Sequence, residues 1–280
     1  MKLVTFVRPG GQPEPGAVAG DQVVPLAAAG FPDMISIIAG GEAALKKAAA
    51  VKSPTLPLAG VRLTAPIPRP PKIICVGLNY RDHAIESNMA IPSVPTIFCK
   101  FPTAVIGPGD NIVLPRNSTQ PDYEAEFAFV VGPGGRHIAA GDWKRHVFGY
   151  MNLNDVSARD VQLATSQWVM GKTFDTFCPM GPYLVTADEI EDPHALDISL
   201  RIGDETLQSS NTKNLIFQIP DLIAHLSGIL TLEAGDVVST GTPAGVGFAR
   251  KPPRYLTAGD NVVVAVQGLG ELRNPVVAES

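Results

Sequence analysis

The chain has 280 residues, 45% of them hydrophobic and 18% charged, enough to bury a sizeable core in one large domain or two unequal ones. A net charge of −5 with no run of Lys or Arg argues against nucleic acid, whose phosphates need clustered cations. No apolar run approaches a membrane span, and Met1–Val7 is too short for a signal peptide, so a cytoplasmic protein acting on a small molecule is expected.

With 27 Gly and 26 Pro, the chain predicts many turns and a β-rich α+β architecture. Leu3–Val7 and Gln22–Leu26 read as short strands. Asp33 caps a helix to about Ile38, and Glu42–Val51 is a second helical run. Ala65–Pro71 lacks amide donors at four positions and must be extended, which divides a small N-terminal domain, 1–66, from a larger one, 67–280. Within the larger part, Ile73–Val76, Pro95–Cys99, Asn111–Leu114, Tyr123–Val131 and Phe148–Val156 read as strands. Ser157-Ala158-Arg159-Asp160 matches a capping box and predicts a helix through about Trp168. Ile198–Ile202, Asp236–Thr240 and Asn261–Gln267 continue the β pattern, and Gly268-Leu269-Gly270 turns the last hairpin. The three cysteines, Cys75, Cys99 and Cys178, fit neither a disulfide framework nor a zinc pattern; Cys75 and Cys99 read as buried thiols.

Chemistry concentrates first in Tyr123-Glu124-Ala125-Glu126-Phe127-Ala128-Phe129. Strand alternation puts Glu124 and Glu126 on one face with Ala128 and Val130, in a strand apolar on both sides. Two buried neighbouring carboxylates repel and need a partner, a shifted pKa or a cation. Asp155, ending the next strand, supplies a third carboxylate, although such a residue can equally be a plain strand-end or helix-capping residue. Three hard oxygen donors suit Mg²⁺, Mn²⁺ or Ca²⁺. In Asn79–Glu86, His83 and Glu86 stand at i and i+3, so the carboxylate can orient the imidazole as a general base; the same spacing also describes a surface pair. Lys172 lies in an apolar Gly-containing stretch, where it can face a substrate carboxylate or simply snorkel. Arg159 and Gln162 share a helix face toward whatever Asp155 binds, or form an ordinary polar surface. Ser239–Gly247 follows a buried strand and offers backbone amides and threonine hydroxyls to an anion; a plain turn is the alternative.

Taken in order, Gly77-Leu78-Asn79-Tyr80-x-x-His83-x-x-Glu86, Glu124-x-Glu126, Asn154-Asp155-Val156-Ser157-Ala158-Arg159-Asp160-x-Gln162, Gly171-Lys172-Thr173-Phe174-Asp175 and Thr240-Gly241-Thr242-Pro243 resemble the fumarylacetoacetate hydrolase family, from about residue 70 onward. The run Gly171–Pro179 is most similar to the bacterial and mitochondrial members described as fumarylacetoacetate hydrolase domain-containing proteins. This resemblance implies a mixed β-sandwich roll, a homodimer, and Mg²⁺ or Mn²⁺ on Glu124, Glu126 and Asp155. It also implies a His83–Glu86 dyad on a mobile lid, with Lys172, Gln162 and Thr242 toward the substrate. The expected activity is hydrolysis of a C–C bond in an acylpyruvate or related β-diketo acid. An oxaloacetate-type decarboxylase or tautomerase, or a dienedioate isomerase, is the alternative within the family. A non-catalytic β protein with structural Ca²⁺ is the alternative outside it.

Overall fold

The segment with the clearest alternation forms the centre of the molecule. Ala125–Val131 is buried at every position and pairs antiparallel on both edges, with Val147–Asn154 and with Val237–Ser239. The computed structural model describes residues 1–52 and 54–280. Around the central strand runs a twelve-stranded mixed sheet. Beyond Val147–Asn154 it continues through Cys178–Thr186 to the N-terminal strands Lys2–Val7, Pro13–Ala19, Gln22–Pro25 and Leu56–Pro57. Beyond Val237–Ser239 it continues through Ile73–Gly77, parallel to its neighbour, and ends at the edge strand Thr96–Cys99. A second sheet of five strands contains Asp197–Ile202, Glu205–Asn211, Asn261–Val266, Glu271–Ala278 and Ile112–Leu114.

The two faces of the central strand feed separate cores. Phe127, Phe129 and Val131 meet Ile198, Leu200, Val264 and Leu272 of the five-stranded sheet and Leu222 and Leu226 of the helix Ile219–Ile229. On the other face Ala128 and Val130 pack with Met151, Leu153 and Met180, and with Met34, Ile37 and Ile38 of the helix Met34–Ala49. Phe127 and Phe129 are fully buried and contribute about 2–3 kcal/mol each. That apolar anchoring offsets the cost of holding Glu124 and Glu126 at the start of the same strand.

Several elements differ from the expectation, for identifiable reasons. Pro13–Ala19 is a strand despite Pro13 and Pro15, which lie opposite Val7 and Thr5. The two helical runs expected around residue 40 are present: the helix capped by Asp33, whose carboxylate accepts from the Ser36 amide at 2.8 Å, is interrupted at Gly41, where φ is +55°, and resumes to Ala49. The predicted helix to Trp168 is instead a single turn, Arg159–Gln162. Its capping box does not form: the Ser157 hydroxyl donates to the Asp155 carbonyl, and Asp160 is taken by Ser118 and Thr119. Helix Ile219–Ile229 is an addition to the expected elements; Gln218 and Asp221 cap it, and Pro220 sits in its first turn, where a proline starts a helix rather than breaking one. Cys75 and Cys178 are buried, but Cys99 is exposed, because it ends the edge strand. No helix among the described residues is long and apolar enough to cross a membrane.

Candidate active site

Pairing of the two central strands brings their carboxylates together. Ala125 is registered with Asn154, so Glu124, one residue before the first strand, and Asp155, one residue past the second, meet at the same end. The Asp155 amide donates to the Glu124 carbonyl at 3.0 Å. Glu124, Glu126 and Asp155 are all buried, and one oxygen from each lies within 4.8 Å of the others. This spacing lets a single hard dication be shared by all three.

The residues around them decide whether a cation fits. Local sequence holds no base for these acids, but the fold delivers three. Lys172, at the end of the one-turn helix Val169–Lys172 and buried, is 2.7 Å from both Glu124 and Asp155. Arg159 is 2.6 Å from Glu124 and 2.9 Å from Asp122, and donates to Gln162 at 2.9 Å. Lys100 reaches Asp155 at 2.5 Å and the Val156 carbonyl at 3.0 Å. Four buried carboxylates therefore face three buried cations. Among the described residues, Glu126 is the carboxylate of the four that has no basic partner; it accepts only from the Ser239 hydroxyl and, at 3.0 Å, from the Gly241 amide. An unpaired buried carboxylate beside two others is what a bound dication would relieve.

Protonation follows this arrangement. Burial, then Asp155 and Glu124, push the Glu126 carboxyl well above its usual range. Glu124 is raised by burial, but Lys172 and Arg159 outweigh this and hold it well below the ordinary value. Burial alone would lower Lys172; Asp155 and Glu124 more than compensate and keep it an ammonium. The same balance, with Glu124 and Asp122 opposing burial, holds the Arg159 guanidinium charged.

His83 of the dyad lines the same cavity as Glu124 and Glu126. His83 and Glu86 sit on the short helix Arg81–Glu86, with His83 Nδ1 3.4 Å from a Glu86 oxygen. The loop after Val237–Ser239 does bind anions, but they are the protein's own: Gly241 holds Glu126, and the Gly245 amide donates to both Glu86 oxygens at 3.0 Å. Gly245 has φ +102°, and a Cβ there would lie 2.2 Å from the Leu207 carbonyl. A cavity of about 160 Å³ is lined by the polar side chains of His83, Glu124, Glu126, Arg159, Gln162, Lys172 and Thr242 and by the apolar ones of Leu78, Phe98, Leu163, Trp168 and Phe248. Of the expected site residues, Asp155 and Glu86 do not themselves line this cavity; Asp155 is next to Lys172, and Glu86 is next to His83. Thr242 is engaged, donating to the Ala125 carbonyl and accepting from Gln208. Phe98 underlies Lys172, whose ammonium is 5.0 Å from the ring centre, and Phe248 underlies Arg159 at 5.1 Å.

Lys100, Asp122 and Gln208 escape the sequence reading; Lys100 and Asp122 carry a faint signal, each a charge directly beside an apolar strand, and Gln208 carries none, whereas Ser239 opens the segment expected to hold an anion and its hydroxyl donates to Glu126.

Comparison with known proteins converges on this region. The family model described as fumarylacetoacetate hydrolase C-terminal matches residues 72–277. Oxaloacetate tautomerase Fahd2a, mitochondrial, of Rattus norvegicus is 48% identical over 248 residues, covering 87% of this chain and 79% of the relative. Oxaloacetate tautomerase YisK of Bacillus subtilis is 46% identical over 223 residues, covering 78% and 74%. Among solved structures, maleylpyruvate hydrolase from Sphingobium sp. SYK-6, in complex with manganese (II) ion and pyruvate, superposes with a TM-score of 0.85 at 35% identity, covering all of both chains.

Proposed function

The chain belongs to the fumarylacetoacetate hydrolase family, and on that premise we propose that it is a divalent-metal-dependent enzyme interconverting the keto and enol forms of a short 2-oxo dicarboxylic acid of the oxaloacetate kind. The observation that carries this reading is the placement of an unpaired buried carboxylate, Glu126, and an oriented imidazole, His83, on one small cavity. The names of the relatives at 46–48% identity support tautomerisation over the other reactions of the family.

Glu124, Glu126 and Asp155 would hold the cation; the all-oxygen set suits Mg²⁺ or Mn²⁺, and the manganese in the maleylpyruvate hydrolase structure favours the same class of ion. When bound, such an ion lowers the free energy of negative charge developing on the substrate's 2-oxo group. The chain's own residues do the rest. Glu86, fixed by the Gly245 amide, holds His83 through Nδ1 and leaves Nε2 to take a proton from the substrate's C3. The imidazolium so formed is stabilised by Glu86 and delivers the proton to the enolate oxygen, which completes the enol; ketonisation runs the two transfers in reverse. Lys172 and Arg159 stay charged and offset the substrate's carboxylate and the growing negative charge. The apolar part of the lining, with Phe98 and Trp168, limits bulk water in the cavity, which strengthens these interactions.

The first product to test is enol decay. Purified protein with Mg²⁺ or Mn²⁺ is expected to accelerate loss of the oxaloacetate enol absorbance, and His83→Ala to abolish that acceleration. Absence of any acceleration by the metal-loaded protein would refute the reading.

A second reading, hydrolysis of an acylpyruvate, is favoured by the dyad itself, because His83 backed by Glu86 can deprotonate water as readily as carbon. It predicts two acids from one acylpyruvate by NMR, whereas tautomerisation leaves the carbon skeleton intact.

A further inference from the structure

The helix that carries the proposed base has little packing to hold it. Arg81–Glu86 spans six residues, well below the ~12–15 at which an isolated helix becomes even marginally stable in water. Ala84 is its one buried side chain, and Ile85 is 80% exposed. Hydrogen bonds at its ends must therefore hold it. At the last turn the Gly245 amide fixes Glu86. At the first turn the anchor is Asp82. Its Oδ1 accepts from the backbone amide of His83 itself at 2.9 Å, and its Oδ2 accepts from the Ser210 hydroxyl at 2.5 Å. Asn214 Nδ2 donates to the Ser210 oxygen at 3.1 Å, which leaves the hydroxyl proton for Asp82. Ser210 belongs to the strand Glu205–Asn211 of the five-stranded sheet, 128 residues along the chain from Asp82.

We propose that Asp82 and Ser210 are positioning residues for the general base: together they fix the backbone of His83 against the five-stranded sheet and so set where its imidazole meets the substrate. This rests on the tautomerase reading and extends it to residues outside the cavity. Asp82, Ser210 and Asn214 are absent from the cavity lining, so their effect on the reaction runs through His83. The dyad cannot place itself. Glu86 orients the ring through Nδ1 from the same helix, so a shift of that helix would carry both members along and leave their separation unchanged. Proton transfer needs the base within hydrogen-bond reach of the proton, and a misplacement of about 1 Å can cost about 100-fold. The residues leading into the helix are already fixed. Asn79 Oδ1 accepts from the Phe217 amide at 2.8 Å, its Nδ2 donates to the Thr240 carbonyl at 2.8 Å, and its own carbonyl accepts from the Ile216 amide at 2.8 Å. The Asp82–Ser210 bond carries that registration on to His83. A carboxylate suits the task, because a hydrogen bond to an ionised acceptor is roughly twice as strong as one between neutral groups.

The test follows decay of the oxaloacetate enol with Mn²⁺ present, alongside a Mn²⁺ thermal-shift titration. It uses wild type, Ser210→Ala, Ser210→Thr, Asp82→Ala and the double variant Asp82→Ala with Ser210→Ala. Ser210→Ala is expected to lower kcat about five- to tenfold, the size of one lost hydrogen bond to a charged group, with KM and the Mn²⁺ titration midpoint within about twofold of wild type. Ser210→Thr keeps the hydroxyl and is expected to recover most of kcat. Asp82→Ala also releases the His83 amide and should cost more; adding Ser210→Ala to it should cost nothing further, because both remove the same bond. If Asp82→Ala does not fold, the two Ser210 variants decide the matter by themselves. An unchanged kcat in Ser210→Ala, additive losses in the double variant, or a loss of kcat matched by equal losses of substrate and Mn²⁺ binding would overturn the positioning role while leaving the tautomerase reading standing. Failure of the wild-type protein to accelerate enol decay would instead remove that reading and this inference with it.

Discussion

Glu124 and Glu126 have the same side chain, two residues apart on one face, and opposite electrostatics. Glu124 completes ion pairs with Lys172 and Arg159, whereas Glu126 has only a hydroxyl and an amide. Glu124→Gln should therefore leave two buried cations undercompensated and cost about 3–5 kcal/mol. Glu126→Gln should leave the metal-free protein as stable as wild type or slightly more so, since it replaces an unpaired buried acid with a neutral isostere. Both should abolish the rise in Tm that Mn²⁺ gives wild type, and both should lower turnover by more than about 100-fold, beyond the usual loss from outer partners of a ligand. A thermal-shift titration with and without Mn²⁺ checks this; metal-free destabilisation by Glu126→Gln equal to that of Glu124→Gln would contradict the charge balance drawn here. The pair itself is legible from strand alternation, and the expected third carboxylate, Asp155, does lie beside it. What alternation could not show is that the partners lie far off in sequence. Lys172 is 48 residues from Glu124, and Lys100 is 55 from Asp155. No local pattern encodes those contacts, so a metal alone looked like the answer to a charge problem that the fold solves with three bases and, on the reading above, a metal.

At the scale of elements, the loop Thr240–Gly247 does two jobs through backbone amides, holding Glu126 and Glu86. Its conformation depends on glycine at 245, where φ is +102° and a Cβ would collide with the Leu207 carbonyl. Gly245→Ala is expected to destabilise by about 2–4 kcal/mol through the backbone clash and the left-handed φ. It should also free Glu86 and lower kcat, with metal binding retained because Gly241 is untouched. A calorimetric melt alongside a Mn²⁺ titration separates these effects; loss of metal binding in step with kcat would show that the loop moves as one body. The helix Ile219–Ile229 has a different dependence, on pH. The Ile219 amide donates to His194 Nε2 at 3.3 Å, so that nitrogen must be unprotonated. Burial lowers the pKa of His194, outweighing the upward pull of Asp192 and Asp221. A depressed pKa in the fold means that the unfolded chain binds the proton more readily. This contribution is therefore complete above the unfolded value near 6.5 and is lost as pH falls through the lower folded value. Wild-type Tm should drop below about pH 6.5 more steeply than that of His194→Phe; parallel curves would remove His194 from the account. This helix was illegible for a simple reason: Pro220 and the Gln218–Asp221 box form a start signal that resembles a break when read without the following apolar face. The single turn Arg159–Gln162 failed in the opposite sense, because Asp160 is claimed by Ser118 and Thr119 on a distant loop.

At the scale of the molecule, the composition break at Ala65–Pro71 and the pairing of the sheet give complementary views of residues 1–66. The family match begins at residue 72, close to that break. Yet the strand Lys2–Val7 pairs with Cys178–Thr186, Lys2 opposite Val185, and the Thr5 hydroxyl donates to the Pro66 carbonyl at 2.7 Å. Leu3, Leu26, Met34, Ile37 and Ile38, each at most 2% exposed, share a core with Met151, Leu153, Met180 and Leu184, the side chains that back the carboxylate-bearing strands. At about 2 kcal/mol apiece those five residues amount to about 10 kcal/mol, comparable with the entire net stability of an ordinary domain. The intact chain should therefore melt in a single calorimetric transition, with Mn²⁺ raising the midpoint of the whole. A fragment comprising residues 67–280 should expose the apolar face of Met151, Leu153 and Met180, bind a hydrophobic dye, and lose the Mn²⁺-dependent shift, because nothing then holds the strands ending at Glu124 and Asp155 in register. Two separate transitions in the intact chain, with the metal shift confined to the upper one and preserved in the fragment, would show instead that the N-terminal residues only decorate a self-sufficient catalytic unit.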